Sequence, residues 1–383
     1  MNSKYLLALF ASLALSTTVV GQDSKEKLET IRTYYQTARQ FEHDGNWTDA
    51  ERAWRSVLNL AADDARAWTN LGVALNRQNK TTEAIESWQK AIELDPKLPG
   101  PHFNIGLTLT RKGDYQNAIA PLQRATSMEP NNDGARRALA IALIGTERFQ
   151  EASREIAKLL SRSPADASLL ELAATSFMRQ QRYTEGMIVL ERRLSLPKAT
   201  SFLWSQYGDA LDGSRRTPEA AEAYRKALEM DPESTLVRYG LGYLYWKLYR
   251  YDEAERELLE VLRRAPKDPR ASFTLGDLYL TKGDAQRALP FLEVARESYP
   301  NEFDTRFALG RALLLNGNTD RAIAELRIAV ELDETIADGH FQLGRALMKA
   351  GFTEEAKQEL QTAKELHDKQ RKTESERFRK KLP

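Results

Sequence analysis

The sequence predicts an all-α solenoid, a superhelix of stacked helix-turn-helix repeats, and three observations support this fold class. A small residue recurs every 34 residues without an insertion, a second follows twelve positions later, and a proline follows twelve positions after that in six repeats. Such a period is typical of arrays in which each unit packs only on its neighbours. The first set is Ala38, Gly72, Gly106, Ala140, Ala174, Gly208, Gly242, Gly276, Gly310 and Gly344; the second is Ala50, Ala84, Ala118, Ala152, Gly186, Ala220, Ala254, Ala288, Ala322 and Ala356; the prolines are Pro96, Pro130, Pro164, Pro232, Pro266 and Pro300.

Each repeat is expected to contain a helix A, a short turn and a helix B. Apolar residues at repeat positions 4, 7, 8 and 11 form the stripe of an amphipathic helix A. The small residues at positions 8 and 20 let the two helices pack closely. In the turn "KGDY", Gly113 suits a helix C-cap and Asp114 the next N-cap. Pro121 and Pro290 fall early in their B helices, where a missing N–H is tolerated.

These features resemble the tetratricopeptide repeat (TPR), whose signature is W-x2-L-G-x2-Y, then A-x3-F, then P. The segments "WTNLGVAL" (68–75) and "WSQYGDAL" (204–211) match its first part closely. The resemblance covers 31–370 and implies a right-handed TPR solenoid of ten tandem 34-residue repeats. Their predicted bounds are 31–64, 65–98, 99–132, 133–166, 167–200, 201–234, 235–268, 269–302, 303–336 and 337–370.

Repeat 5 departs most from the pattern. Gly186 replaces the usual alanine, Arg193 stands where a small or apolar residue is expected, and Pro197 arrives one residue early. Because repeats couple only to their neighbours, we expect this unit to be locally less stable than the others.

Residues 1–21 are expected to be a secretory signal peptide. Lys4 supplies the positive n-region, an apolar stretch follows, and small residues at Val19 and Gly21 suit cleavage before Gln22. The apolar run is shorter than the roughly 20 residues of a membrane span, although an uncleaved anchor remains an alternative. We therefore expect an exported protein, periplasmic or secreted, that is free of the membrane after cleavage.

The segments that flank the repeats are polar. Residues 22–30 form an N-terminal lead-in, and residues 371–383 form a C-terminal segment that caps the last repeat or extends from it as a tail. The C-terminal segment mixes acidic and basic residues, which argues against a basic tail that binds lipid or nucleic acid.

Composition excludes several function classes. The 56 Lys and Arg residues balance 55 Asp and Glu residues, which argues against nucleic-acid binding. Cysteine is absent, so disulfides, thiolate metal sites and cysteine nucleophiles are excluded. No HExxH, Walker or GxSxG motif occurs, and His102 and His340 occupy a packing position of the repeat. The sequence predicts no catalytic residue, no metal and no cofactor, and hence no enzyme.

The resemblance implies that partners bind on the concave face, at helix A positions 2, 5, 6, 9, 12 and 13. These positions carry seven basic and two acidic residues in repeats 1–5, but five of each in repeats 6–10. The expected partner is a protein or peptide segment, acidic and with apolar anchors. The predicted binding residues are Tyr239, Tyr243, Trp246, Phe273, Phe307, Arg311, Phe341, Arg345, Asn70, Asn104, Arg66, Arg77 and Arg111.

Two alternatives stay open. Phe273, Phe307 and Phe341 share position 5 and could instead pack against the next A helix, since aromatic stripes are common in cores. The whole protein could also be a structural or assembly factor that acts through its convex surface or by oligomerisation. We favour a non-enzymatic interaction scaffold of the cell envelope or extracellular space, of undetermined oligomeric state.

Overall fold

The computed structural model describes residues 25–379; the predicted signal peptide and the last four residues lie outside this description. Every regular element in this range is a helix, and we number them α1 to α20. Their bounds are α1 25–43, α2 Trp47–Leu60, α3 Ala65–Arg77, α4 Thr81–Leu94, α5 Pro99–Arg111, α6 Tyr115–Met128, α7 Asp133–Gly145, α8 Phe149–Leu160, α9 Ala167–Arg179, α10 Tyr183–Leu194, α11 Ser201–Gly213, α12 Thr217–Met230, α13 Thr235–Lys247, α14 Tyr251–Arg264, α15 Pro269–Thr281, α16 Ala285–Ser298, α17 Phe303–Leu315, α18 Thr319–Leu332, α19 Ala337–Ala350 and α20 Thr353–Arg379.

The helices form ten pairs, stacked in the manner of a TPR solenoid, and this confirms the predicted fold class. Odd-numbered helices are the A helices and even-numbered helices the B helices. Helix α1 already includes 25–30 of the expected lead-in, and α20 continues through 371–379. Within residues 25–379, no helix combines the length and the apolar character that crossing a membrane requires.

The chain divides into two compact units, and the division falls in the turn of repeat 5. Unit 1 ends at Arg182 and unit 2 begins at Tyr183. In unit 2, the side chain of Arg193 is buried and donates to the carbonyl oxygens of Pro197 and Lys198, both at 3.3 Å. The unusual arginine therefore bonds to the backbone after its own helix. The lower local stability of this repeat stays a prediction.

Close helix packing explains the two small residues of each repeat. All alanines at position 20 are fully buried. At position 8, a Cβ atom added to Gly72 would lie 2.4 Å from Nε1 of Trp88 on the paired B helix, closer than any side chain tolerates. Glycine is therefore required there by the bulk of Trp88, which is itself buried.

Successive A helices touch one another within each unit. The pairs α3–α5 and α5–α7 do so in unit 1, and α13–α15, α15–α17 and α17–α19 do so in unit 2. Within each unit, A helices also contact the B helices paired with them, as α3 contacts α4 and α13 contacts α14. These A helices therefore lie side by side within each unit, and we call the surface formed by their positions 2, 5, 6, 9, 12 and 13 the A-helix face.

The turns and the internal prolines behave as predicted. Gly113 adopts a φ of 79°, and the Asp114 side chain accepts a hydrogen bond from the backbone N–H of Asn117 at 3.4 Å. Pro121 lies inside α6 and Pro290 inside α16, and both helices continue past them.

A recurring polar contact at position 4 was not predicted. In four repeats this side chain reaches a glutamate of its own B helix and also a backbone carbonyl oxygen six residues earlier; we call this the position-4 bridge. His340 is buried but is hydrogen-bonded at both ring nitrogens, so the packing role predicted for it was incomplete. The bridges are Arg136 to Glu155 and Pro130, Arg238 to Glu257 and Pro232, Arg306 to Glu325 and Pro300, and His340 to Glu359 and Glu334.

Candidate functional site

Three aromatic side chains of α13 form a continuous stack on the A-helix face of unit 2. Ser234 caps the start of this helix, and Tyr239, Tyr243 and Trp246 follow at spacings of four and three residues. The ring centroids are 6.3 Å apart for the tyrosine pair and 5.6 Å apart for Tyr243 and Trp246, with interplanar angles of 26° and 23°. We call these three residues the aromatic stack.

The members of the stack differ in exposure. Tyr243 is 37% exposed, whereas Tyr239 and Trp246 are half-buried and pack against the core of unit 2. Tyr243 is therefore the ring most available to a partner, and the other two also support the fold.

Charged groups flank the stack on the neighbouring A helices. Lys247 lies 5.8 Å from the centroid of the Tyr243 ring and places its Nζ 2.6 Å from both carboxylate oxygens of Asp212 on α11. On the other side, Asp277 of α15 lies beside Trp246 and near Arg311. Burial raises the pKa of Asp277, against the lowering effects of Arg311 and Trp246.

A second carboxylate, Asp209, is positioned by a tyrosine that passes between two A helices. The hydroxyl of Tyr224 donates to Asp209 at 2.5 Å. Added Cβ atoms would lie 2.4 Å from the Tyr224 ring at Gly208 and 2.2 Å from it at Gly240, so both glycines are needed to admit the ring. Sequence analysis missed this contact, although a glycine at 240 beside the expected one at Gly242 was a signal for it.

The surroundings of Asp209 disfavour its charge. The residue is solvent-accessible at the surface, yet crowding by protein atoms on this face raises the pKa of its carboxyl, and Asp212 adds to the rise. The carboxylate of Asp209 can be accessible to water and still have a raised pKa, because nearby protein atoms replace much of its hydration.

A guanidinium group already lies on the stack. Arg270 of α15 places its central carbon 4.8 Å from the Tyr239 ring centroid and pairs with Asp268 at 3.0 Å. The fold itself thus combines an aromatic face, an arginine and a carboxylate at this place.

The position-5 aromatics of repeats 8 to 10 are not equivalent. Phe273 and Phe307 are half-buried and packed against the core, which favours the packing alternative for part of their surface. Phe341 is 42% exposed. The predicted arginines lie over two of these rings, Arg311 at 5.5 Å from the Phe307 centroid and Arg345 at 5.9 Å from that of Phe341.

In unit 1, three of the five predicted binding residues line the same cavity. A cavity of about 440 Å³ between α3 and α5 is lined by Arg77, Asn104 and Arg111, with Phe103 among its apolar neighbours. Arg66 and Asn70 are outside its lining, so the structure does not join all five predicted residues of this unit.

The arginines of unit 1 differ in how they are paired. Arg77 lies over Trp47 at 5.3 Å from the ring centroid, and among residues 25–379 neither it nor Arg111 forms an ion pair. Arg137 is one of the seven basic residues that the sequence places on this face in repeats 1–5. It is paired with Asp166 at 2.6 Å. The basic excess available to a partner is therefore smaller than the sequence indicates.

Across the described residues, no group of three or more His, Asp or Glu side chains is arranged to hold a metal ion. The geometry of the A-helix face consists instead of aromatic rings with separate positive and negative groups, which suits contact with another polypeptide.

Three protein-family models match segments of the chain. A model described as tetratricopeptide repeat matches 109–175 and 213–274, another of the same description matches 273–337, and a TPR repeat model matches 74–113. No curated protein sequence matches the chain.

Solved structures with similar folds include several helical repeat proteins. MamA 41-end from Desulfovibrio magneticus RS-1 is 20% identical, with a TM-score of 0.43 over 46% of this chain and 99% of that one. The APC/C hetero-tetramer Cut9-Hcn1 is 13% identical, with a TM-score of 0.47 over 94% and 92%. Naa15/Naa10 bound to HypK-THB is 16% identical, with a TM-score of 0.48 over 88% and 63%.

Proposed function

Because the chain belongs to the tetratricopeptide repeat family of protein–protein interaction scaffolds, we propose that it binds a segment of a partner protein along its A-helix face. The aromatic stack of unit 2 is the proposed anchor point. The observation that carries this proposal is the three-ring stack, whose middle member, Tyr243, is exposed. The family is typically non-enzymatic, and we extend that to this protein.

Physical chemistry supports the choice of anchor. Tyrosine, tryptophan and arginine dominate the binding energy of protein interfaces, and the two aromatic residues bury large surfaces while losing little conformational entropy. In unit 2, further rings lie at position 5 of repeats 8 to 10, and among them Phe341 is exposed. An extended or helical segment can place apolar side chains at such a spacing.

We expect Tyr243→Ala to weaken partner binding roughly thirtyfold, the effect of losing a hot spot of about 2 kcal/mol. The full chain is expressed in its native host with a C-terminal affinity tag, and captured proteins are quantified by mass spectrometry. Tyr243 alone is changed because Tyr239 and Trp246 also pack against the core, so removing all three rings would weaken the fold as well.

The matched control is the double variant Tyr249→Ala with Leu259→Ala. Both side chains are large, apolar in character and exposed, and neither lies on the A-helix face. The control should retain the partner. If Tyr243→Ala retains it and the control loses it, the protein binds through its other surfaces, as the structural or assembly alternative requires.

We also propose that the protein acts in the cell envelope or outside the cell. The support is the pattern of the first 21 residues, which lie outside the described part of the structure. Amino-terminal sequencing of the tagged protein from its host should find Gln22 as the first residue, in the envelope fraction or the medium. Cytoplasmic protein that begins at Met1 would refute this location.

A further inference from the structure

We propose that the aromatic stack docks an arginine side chain of the partner segment on Trp246, beside the carboxylate of Asp277 on α15, while Asp209 on α11 attracts the basic segment from the other side of α13. The inference rests on the proposed function and names the chemistry of its central contact. It differs from the acidic partner that the sequence predicts, because that expectation came from the arginines of unit 1.

One ring of the aromatic stack carries no cation of the chain. Tyr239 carries Arg270 and Tyr243 carries Lys247, both from the chain itself. Among residues 25–379, no lysine or arginine lies over the ring of Trp246. Indole attracts cations more strongly than the other aromatic rings, and a planar guanidinium stacks on such surfaces better than an ammonium does.

Neither flanking carboxylate is paired directly with a cation, although Arg311 on α17 lowers the pKa of Asp277 from beyond ion-pair distance. Asp209 accepts a hydrogen bond from the hydroxyl of Tyr224, and Asp277 lies beside Trp246. Neither forms an ion pair within 4.0 Å with a cation of the described chain, whereas the nearby Asp212 is paired with Lys247. Burial raises the pKa of both carboxyls, as expected where the charged form is poorly compensated. An incoming guanidinium would supply that missing compensation.

The fold contains the same combination with its own residues. Arg270 lies on the ring of Tyr239 while its guanidinium is held 3.0 Å from Asp268. The proposed site repeats this arrangement at the other end of the stack, with Trp246 as the ring and Asp277 as the carboxylate. Charge complementarity thus selects a basic segment for the middle of the unit 2 face.

The test uses three peptide probes with the full chain: alternating arginine and glycine, alternating lysine and glycine, and alternating glutamate and glycine. The indole N–H signal of Trp246, assigned by its loss in Trp246→Phe, is followed by NMR during titration. We expect the arginine peptide to shift this signal at the lowest concentration, the lysine peptide several-fold higher, and the glutamate peptide not at all. Equal response to the arginine and lysine peptides, or a stronger one to the glutamate peptide, would overturn the proposal.

Two charge-removing variants and a control locate the contact. Asp277→Asn should weaken binding of the arginine peptide about tenfold, the value of a hydrogen bond to a charged group, and Asp209→Asn, on the other side of α13, should weaken it roughly two- to fivefold. Glu297→Gln removes one charge from an exposed position on the B helix α16 and should change affinity less than about twofold. Equal losses in all three variants would show attraction by net charge alone and contradict the site.

Acidification provides an independent check. The groups that face Asp277 are Trp246 on α13 and Arg311 and Asp304 on α17; those that face Asp209 are Tyr224 on α12 and Asp212 on α11. Because both aspartates have a raised pKa, each becomes protonated at a higher pH than an ordinary aspartate. Affinity for the arginine peptide should fall as pH drops through that raised range; each single Asn variant should lose part of this dependence, and the double Asn variant should lose it.

The two proposals can fail separately. A native partner that needs Tyr243 but is indifferent to Asp209→Asn and Asp277→Asn would leave partner binding intact and remove the arginine contact. Retention of the native partner by Tyr243→Ala would remove the proposed function, whereas the peptide titration at Trp246 tests the arginine contact directly.

Discussion

Trp88→Ala should lower the local free energy of unfolding of repeat 2 by about 3–5 kcal/mol, the usual range for removing a buried tryptophan. The side chain is 1% exposed and its Nε1 donates to the carbonyl oxygen of Thr69 at 3.0 Å. The ring also fills the space that Gly72 leaves open, so no neighbouring side chain can collapse into the cavity easily. Truncation therefore loses burial and a hydrogen bond together.

The effect is best measured by native-state hydrogen exchange in α3 and α4, because repeat arrays open locally and one global midpoint would average the loss. Trp68→Ala is the matched control. Trp68 is only half-buried, and it donates to the carbonyl oxygen of Ala62 at 2.9 Å. The expected loss at Trp68 is smaller; equal losses would mean that burial against Gly72 does not decide the energy.

Arg306→Ala should destabilise repeat 9 by about 3 kcal/mol, since it leaves a largely buried carboxylate without its partner. Arg306 and Glu325 are each 13% exposed in their side chains, and Nη1 of the arginine lies 2.5 Å from Oε2 of the glutamate. Nε of the arginine also donates to the carbonyl oxygen of Pro300 at 2.8 Å. The substitution removes both contacts of this position-4 bridge.

A double variant separates the cost of leaving a desolvated charge unpaired from the other costs of removing the Arg306 side chain. Replacing both partners, as Arg306→Met with Glu325→Leu, should cost only about 1 kcal/mol, because no unpaired charge remains and only the Pro300 carbonyl loses a donor. Arg321→Ala breaks an exposed pair with Glu293 and should cost less than about 1 kcal/mol. Hydrogen exchange in α17 and α18 measures the local stability of all three variants. A double variant as unstable as Arg306→Ala would refute the argument.

The fold was open to prediction from sequence because every repeat depends on local rules. Alanine at position 20, glycine at the intra-repeat turns and the helical stripe each act within one repeat, and ten repetitions in phase reinforce each other. The packing of Phe273 and Phe307 was harder to foresee, since position 5 borders both the core and the A-helix face. At such a border, the neighbouring side chains determine how much of the side chain is buried in the core and how much lies on the A-helix face.

Polar contacts between side chains were the main features that the sequence did not predict. The position-4 bridge joins residues 19 apart, and an arginine at a position expected to be apolar looks like an irregularity until its glutamate is found. Likewise, Arg137 appeared available to a partner until its pairing with Asp166 became visible. Such pairs depend on distances of a few ångströms that spacing in sequence does not specify.

The amino-acid sequence by itself determined the period, the helix pairs and the helix face of each residue, because these follow from backbone periodicity and from the size of residues at fixed intervals. It placed Tyr239, Tyr243 and Trp246 on one face of α13. Only the tertiary structure decided that Tyr224 passes between Gly208 and Gly240 to reach Asp209, and that Asp277 lies beside Trp246. These contacts join side chains from different helices, so they depend on how adjacent repeats pack, and the charge of the candidate site depends on them.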